Sequence, residues 1–145
     1  MLVRLLYASH TVEPVHDGLI DAILQQARRN NPELGVTGVL CHGGDVFLQV
    51  LEGGREPVNA LYNRIVCDRR HRDVTLLNYH EILERRFAGW TMGQVNLARV
   101  NSSTLLKYSE RAAIDPYALS GRTLAALTEE LIATASIVGR CGSGS

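Results

Sequence analysis

A chain of 145 residues suits one domain with an appendage rather than two independent domains. Hydrophobic residues make up 46% and charged residues 21%, while Lys+Arg and Asp+Glu both total 15. That balance fits a soluble globular protein with no net field for nucleic acid, an acidic substrate or an anionic membrane. The first residues, Met1-Leu2-Val3-Arg4, lack a separate apolar region and cleavage site, and no apolar run approaches the length of a membrane span. Cys41, Cys67 and Cys141 are scattered and form no CxxC pair, so reduced thiols in a cytoplasm are expected rather than a disulfide framework.

Residues 2–8 form an apolar run that reads as a buried strand. Over 15–31, Leu19, Ile20, Ile23, Leu24 and Ala27 fall at helical spacing, and Pro32 and Gly35 are expected to end that helix. Residues 36–41 and 46–51 read as a hairpin around Gly43-Gly44, after which Glu52-Gly53-Gly54 breaks the pattern. A second helix over 57–67 carries Val58, Leu61, Ile65 and Val66, and strands follow over 73–83 and 91–97. The order βαββαββ predicts an α+β, ferredoxin-like mixed sheet with two helices on one face. Residues 102–113 and 122–138 are expected to be helical, the latter presenting Leu124, Leu127, Leu131 and Val138 on one side. The organisation expected is thus a domain over 1–97, a helical extension over 98–138 and a flexible tail over 139–145. The central strand is apolar on both faces, so the C-terminal helices are expected to cover the face that the first two helices leave bare.

Several polar residues fall at positions that periodicity sends inward. Strand alternation places Tyr7 and Ser9 with Val3 and Leu5, and Gln49 with Phe47 and Leu51; helical spacing lets Asn31 extend the stripe of Ala27. Trp90, Met92 and Gln94 are expected on one face of the last strand. A buried carboxamide without partners costs about 1–3 kcal/mol. One alone is ordinarily satisfied by protein. Three or four between helices and sheet point to a planar polar ligand.

Five segments then carry a resemblance. They are Leu5-Leu6-Tyr7-Ala8-Ser9; Ala27-Arg28-Arg29-Asn30-Asn31 with Gly35-Val36-Thr37-Gly38-Val39-Leu40; Phe47-Leu48-Gln49-Val50-Leu51-Glu52-Gly53; Asp68-Arg69-Arg70-His71; and Arg86-Phe87-Ala88-Gly89-Trp90-Thr91-Met92-Gly93. In this order and spacing, over about residues 1–97, they resemble the signature of the BLUF family of flavin-binding blue-light sensors. The resemblance implies a noncovalently held flavin, FAD with FMN or riboflavin as alternatives, between the two helices and the sheet. It implies that Asn31 bonds the pyrimidine edge of the ring and that Gln49 sits beside the ring and touches Tyr7. Tyr7 then supplies an electron and a proton, and Gln49 switches its hydrogen bonds by rotating or tautomerising. Arg64 is expected to reach a ring carbonyl. Asn30 is expected to flank the ring, and Arg28, Asp68, Arg70 and His71 are further candidates for flavin or phosphate contacts, although all four of these also read as solvated charge at a helix end. Ser9, Trp90 and Met92 join the photoactive set, with Trp90 and Met92 relaying the switch outward; on pattern alone both are packing residues.

Other chemistry lacks a pattern. The five His residues show no metal spacing, and Gly53-Gly54 lacks the Gly-Lys-Ser/Thr of a phosphate loop. The expected function is therefore a non-enzymatic light sensor that signals in trans to a downstream protein, as a homodimer, without direct contact with nucleic acid or membrane. A flavin-dependent reductase and a cofactor-free ferredoxin-like binding module are the competing readings. The reductase would need a nicotinamide site, and no GxGxxG supports one.

Overall fold

The computed structural model describes residues 1–134 and 136–139, so the expected tail beyond Gly139 lies outside the described residues. Strand β1 (Leu2–Thr11) leads into helix α1 (Asp17–Leu34), the hairpin β2 (Thr37–Gly43) and β3 (Val46–Gly54), helix α2 (Arg55–Val66), then β4 (His71–Ile82) and β5 (Gly93–Asn96). The five strands lie in the order β4-β1-β3-β2-β5. β1 is antiparallel to both β3 and β4, β2 is antiparallel to β3, and β5 runs parallel to β2. This is the mixed ferredoxin-like sheet that the element order predicts.

The boundaries have local causes. The His16 side chain caps α1 by accepting from the Leu19 amide at 3.2 Å. Pro32 does not end this helix, contrary to the reading of the sequence; the chain stays helical to Leu34 and stops at Gly35, whose φ of 68° is left-handed. Proline removes one N–H close to the end, and the Gly35 amide ties the last turn down by donating to the Asn31 and Pro32 carbonyls. A two-residue turn, Gly44-Asp45, closes the hairpin with Gly44 at a positive φ of 59°. Glu52, Gly53 and Gly54 do not break β3: they pair with Arg4, Val3 and Leu2.

Both faces of the sheet are covered, which explains why β1 and β3 read as unbroken apolar runs. On one face Val3, Leu5, Tyr7, Phe47 and Leu51 pack with Leu19, Ile20 and Leu24 of α1 and Val58 of α2. On the other, Leu6, Ala8, Leu48 and Val50 pack with Phe87, Trp90 and a C-terminal helix, α4 (Gly121–Ala133). Leu124, Leu127 and Leu131 of α4 are all buried. Its start lies against the backbone of β4: a Cβ at Gly121 would stand 2.1 Å from the Leu77 carbonyl oxygen.

The two C-terminal helices are shorter than their apolar spacing suggests. The first, α3 (Ser102–Leu106), has five residues, followed by turns and bends rather than helix to residue 113. In that connection Tyr117 stacks on His10 with ring centroids 4.5 Å apart and donates from Oη to the Asp73 carbonyl at 2.7 Å. Helix α4 ends at Ala133, not 138. Val138 is 63% exposed and pairs in an antiparallel bridge with Gln94 of β5, while its neighbour Ile137 is buried in the core. Sheet hydrogen bonds at both Gln94 N–H and C=O, each 3.0 Å, outcompete a further helical turn. Among the described residues no helix is long and apolar enough to cross a membrane.

If α4 belongs to the same cooperative core, Leu127→Ala should lower the unfolding free energy by about 2–5 kcal/mol, the usual cost of emptying a buried leucine site. Urea denaturation measures this; a loss below about 1 kcal/mol would detach α4 from the core.

Candidate functional site

A cavity opens between α1, α2 and the sheet. Ile23, Gln26, Ala27, Asn30 and Asn31 line it from α1; Leu61, Arg64 and Ile65 from α2; Tyr7, Leu40, Phe47 and Gln49 from the sheet. Asp68, Arg70 and His71 border it where α2 passes into β4. The α1 residues recur at helical spacing, so one face of that helix forms the wall.

Tyr7 and Gln49 are cross-strand partners in the β1–β3 register, and both side chains are buried. Tyr7 Oη donates to Gln49 Oε1. Gln49 Nε2 in turn donates to Met92 Sδ at 3.3 Å. Burial, reinforced by Tyr62 and Asp68 and only partly offset by Arg70, pushes the Tyr7 phenol far above its ordinary range. Tyr7 is therefore held as a neutral hydrogen-bond donor.

Around this chain the polar groups fall into two sets. Some are satisfied by protein. His71 Nε2 lies 2.6 Å from the Ile65 carbonyl, which can only accept, so that nitrogen carries hydrogen, and Nδ1 shares a hydrogen bond with Ser9 Oγ at 2.9 Å. The Asp68 carboxylate accepts from the Arg70 guanidinium at 2.6–3.1 Å, which holds the Asp68 carboxyl below its usual range, and Arg70 Nη2 also reaches Gln26 Oε1 at 3.1 Å. The second set has no such partner. Asn31 is 2% exposed, yet among the described residues its Nδ2 has no hydrogen-bond acceptor. Asn30 and Arg64 line the cavity with no side-chain hydrogen bond to another described residue.

Two expectations need correction. Arg28 is absent from the cavity wall: its Nε and Nη2 donate to the Met92 carbonyl at 3.2 and 3.1 Å. A step of one residue from Ala27 turns about 100° around a helix, and that rotation aims Arg28 at the β5 side instead. Trp90 and Met92 do not share a face. Met92 packs in the α1–α2 core, whereas Trp90 packs in the α4 core beside Phe87, ring centroids 6.3 Å apart. Both precede β5, so strand alternation does not govern them.

The sequence does not single out for the site Tyr62, whose ring lies 5.7 Å from that of Tyr7, and it assigns Ile23, Phe47 and Ile65 to packing although they line the cavity. Helical spacing from Asn31 back through Ala27 to Ile23 was the available signal for the last set. Among the described residues no group of His, Cys, Asp or Glu is arranged to hold a metal ion.

A planar ring with a C=O/N–H edge suits this cavity. Ile23, Ala27, Leu40, Phe47, Leu61 and Ile65 give it apolar surfaces, a carboxamide able to donate and accept stands at Asn31, and Gln49 offers a second at the sheet.

Comparison with known proteins agrees. The family model described as BLUF, sensors of blue-light using FAD, matches residues 2–93. Photoactivated adenylate cyclase subunit beta of Euglena gracilis is 37% identical over 92 residues, 63% of this chain and 11% of that protein. The blue light- and temperature-regulated antirepressor BluF of Escherichia coli is 36% identical over 87 residues, 60% of this chain and 22% of that protein. This chain thus spans a minor part of the length of these curated relatives. Among solved structures, the photo-activated state of BlsA superposes with a TM-score of 0.81 at 34% identity, covering 91% of this chain and 95% of that one. The dark state of BlrB, a BLUF protein, superposes with a TM-score of 0.65 at 30% identity, covering 86% of this chain and 96% of that one. The chain belongs to the BLUF family of sensors of blue light using FAD.

Proposed function

We propose that this protein is a blue-light photoreceptor in which the cavity between α1, α2 and the sheet holds a flavin noncovalently, and in which Tyr7, Gln49 and Met92 convert absorbed light into a change of hydrogen bonds. The observation that carries this reading is the buried relay from Tyr7 Oη through the Gln49 amide to Met92 Sδ on the cavity side of the sheet. Asn31, Asn30, Arg64 and Gln49 are the proposed contacts to the ring. Asp68, Arg70 and His71 stiffen the rim. FAD is the proposed cofactor; FMN and riboflavin carry the same ring.

A bound flavin supplies absorption of blue light and, once excited, a strong pull on an electron. The rest follows from the protein's own groups. Tyr7 is the readily oxidised side chain on the cavity wall, and a phenol that loses an electron becomes strongly acidic. Its proton then has a ready acceptor in Gln49 Oε1. A half-turn of the Gln49 amide places oxygen opposite Met92, and a thioether has no proton to donate, so the contact with Met92 is lost. Met92 is tied at its carbonyl to Arg28, and two residues on, Gln94 pairs with Val138. A change at Gln49 is thereby passed to the β5 edge and to the C-terminal segment beside α4. That face is the proposed output surface toward a downstream partner protein. A regulated cyclase and an antirepressor are the outputs that the names of the Euglena and Escherichia coli relatives give.

Gln49→Leu should retain flavin but lose the reversible light-induced red shift, because leucine fills similar space and neither donates nor accepts. A normal shift in its absorption spectrum would rule out the amide switch.

Asn31→Ala should weaken flavin binding by about 1–3 kcal/mol, roughly a 5- to 150-fold rise in Kd, through loss of one buried hydrogen-bonding partner. Titration of the apoprotein measures it, and an unchanged Kd would contradict direct contact with the ring.

A further inference from the structure

Glu52 is the one fully buried carboxylate among the described residues. It lies three residues past Gln49 in β3, so alternation sends the two side chains to opposite faces of the sheet. Gln49 faces the cavity; Glu52 faces the α4 side. A buried charge survives only with well-placed donors, and Glu52 has three. Its Oε2 accepts from Arg4 Nε at 2.7 Å and from the Arg86 amide at 3.1 Å, and its Oε1 accepts from the Phe87 amide at 2.7 Å.

Two of these donors are consecutive backbone amides, so Glu52 fixes the path of the chain between β4 and β5. That path leads directly to the switch. The Trp90 amide donates to the Phe87 carbonyl at 3.1 Å, and the Trp90 carbonyl accepts from the Gly38 amide at 2.9 Å. Two residues later Met92 Sδ meets Gln49 Nε2. The segment is also tied outward: the Arg86 guanidinium forms a fork with the Glu129 carboxylate of α4 at 2.7–3.1 Å. Arg86 is therefore held at its backbone by β3 and at its side chain by the C-terminal helix. Packing alone does not call for this, since apolar residues of similar volume fill a core at least as well as a buried ion pair. A carboxylate with three donors sets position and direction.

We propose that Glu52 is a positioning residue for the light response. It fixes the 86–92 segment so that Met92 reaches Gln49, and it joins that segment to α4 through Arg86. The proposal rests on the reading of the cavity as the light-sensing site.

Trp90 is the single tryptophan of the chain, so tryptophan emission reports on this segment alone. Glu52→Gln keeps the shape, removes the charge and replaces one acceptor with an NH2 group. In the flavin-loaded 145-residue chain it should still shift under blue light. Its thermal return should slow by about tenfold, because the dark arrangement loses a charge-assisted hydrogen bond, and acrylamide quenching of Trp90 in the dark should rise by about twofold. Glu52→Asp, which keeps the charge but shortens its reach, should alter both readouts in the same direction and is decisive where Glu52→Gln takes up no flavin. Wild-type return and quenching in the flavin-loaded variants would overturn the proposal. So would slowed return with unchanged Trp90 quenching, for the segment would not have moved. If neither variant holds flavin, Glu52 is a folding residue and the proposal falls. A wild-type chain with no light-induced shift would sink the reading of the cavity and this proposal together, whereas a shifting wild type with indifferent variants would sink only the role of Glu52.

Discussion

Tyr7 and Gln49 face each other across β1 and β3, and their side chains share a hydrogen bond in a place that water barely reaches. Burial makes that bond consequential in two ways. It keeps the phenol protonated far beyond the ordinary range of tyrosine, so the proton stays on Oη until the ring is oxidised. It also makes any unsatisfied orientation of the Gln49 amide costly, so the amide has a few discrete arrangements instead of a continuum. A two-state element of this kind is what a sensor requires, because a signal is a change of population between states. The remaining architecture holds this pair in register, walls it from solvent on one face and connects it to a second core on the other.

In the proposed function, that two-sided sheet is the route of transmission. The neighbours of Gln49 on β3 contribute to both cores, Leu48 and Val50 to one and Phe47 and Leu51 to the other, and Trp90 and Met92, two residues apart, enter opposite ones. The segment that carries them is clamped at three points: the Glu52 carboxylate, the Gly38 amide and the Arg28 guanidinium. Packed cores resist gradual deformation. Loss of the Gln49–Met92 contact is then most easily accommodated by a shift of this segment, and α4 and the Gln94–Val138 bridge lie next to it.

Much of this was legible in the sequence. The periods of β1, β3 and α1 place Tyr7, Gln49 and Asn31 between helices and sheet, and the segments around them carry the family's signature. What escaped had physical reasons. Trp90 and Met92 were assigned to one face by strand alternation, but the strand begins only at Gly93. Val138 continued the leucine stripe of α4 by coincidence, since edge pairing with Gln94 captures that stretch and buries Ile137 instead. Arg28 adjoins the cavity residues in sequence, yet the rotation of the helix delivers it to Met92. Glu52 at the end of an apolar run read as a break in the pattern. Its partners are a cross-strand arginine and two amides more than thirty residues away, and of these only Arg4 could have been inferred from pairing.

The central claim is that light is converted at the hydrogen bond between Tyr7 and Gln49. The most direct test is the light-minus-dark absorption spectrum of the purified 145-residue chain beside that of Tyr7→Phe, which keeps the ring and removes the O–H. The wild type should be yellow and show a reversible red shift under blue light without added reductant, while Tyr7→Phe should stay yellow and fail to form that shift. A Tyr7→Phe protein that cycles with wild-type yield would contradict the account.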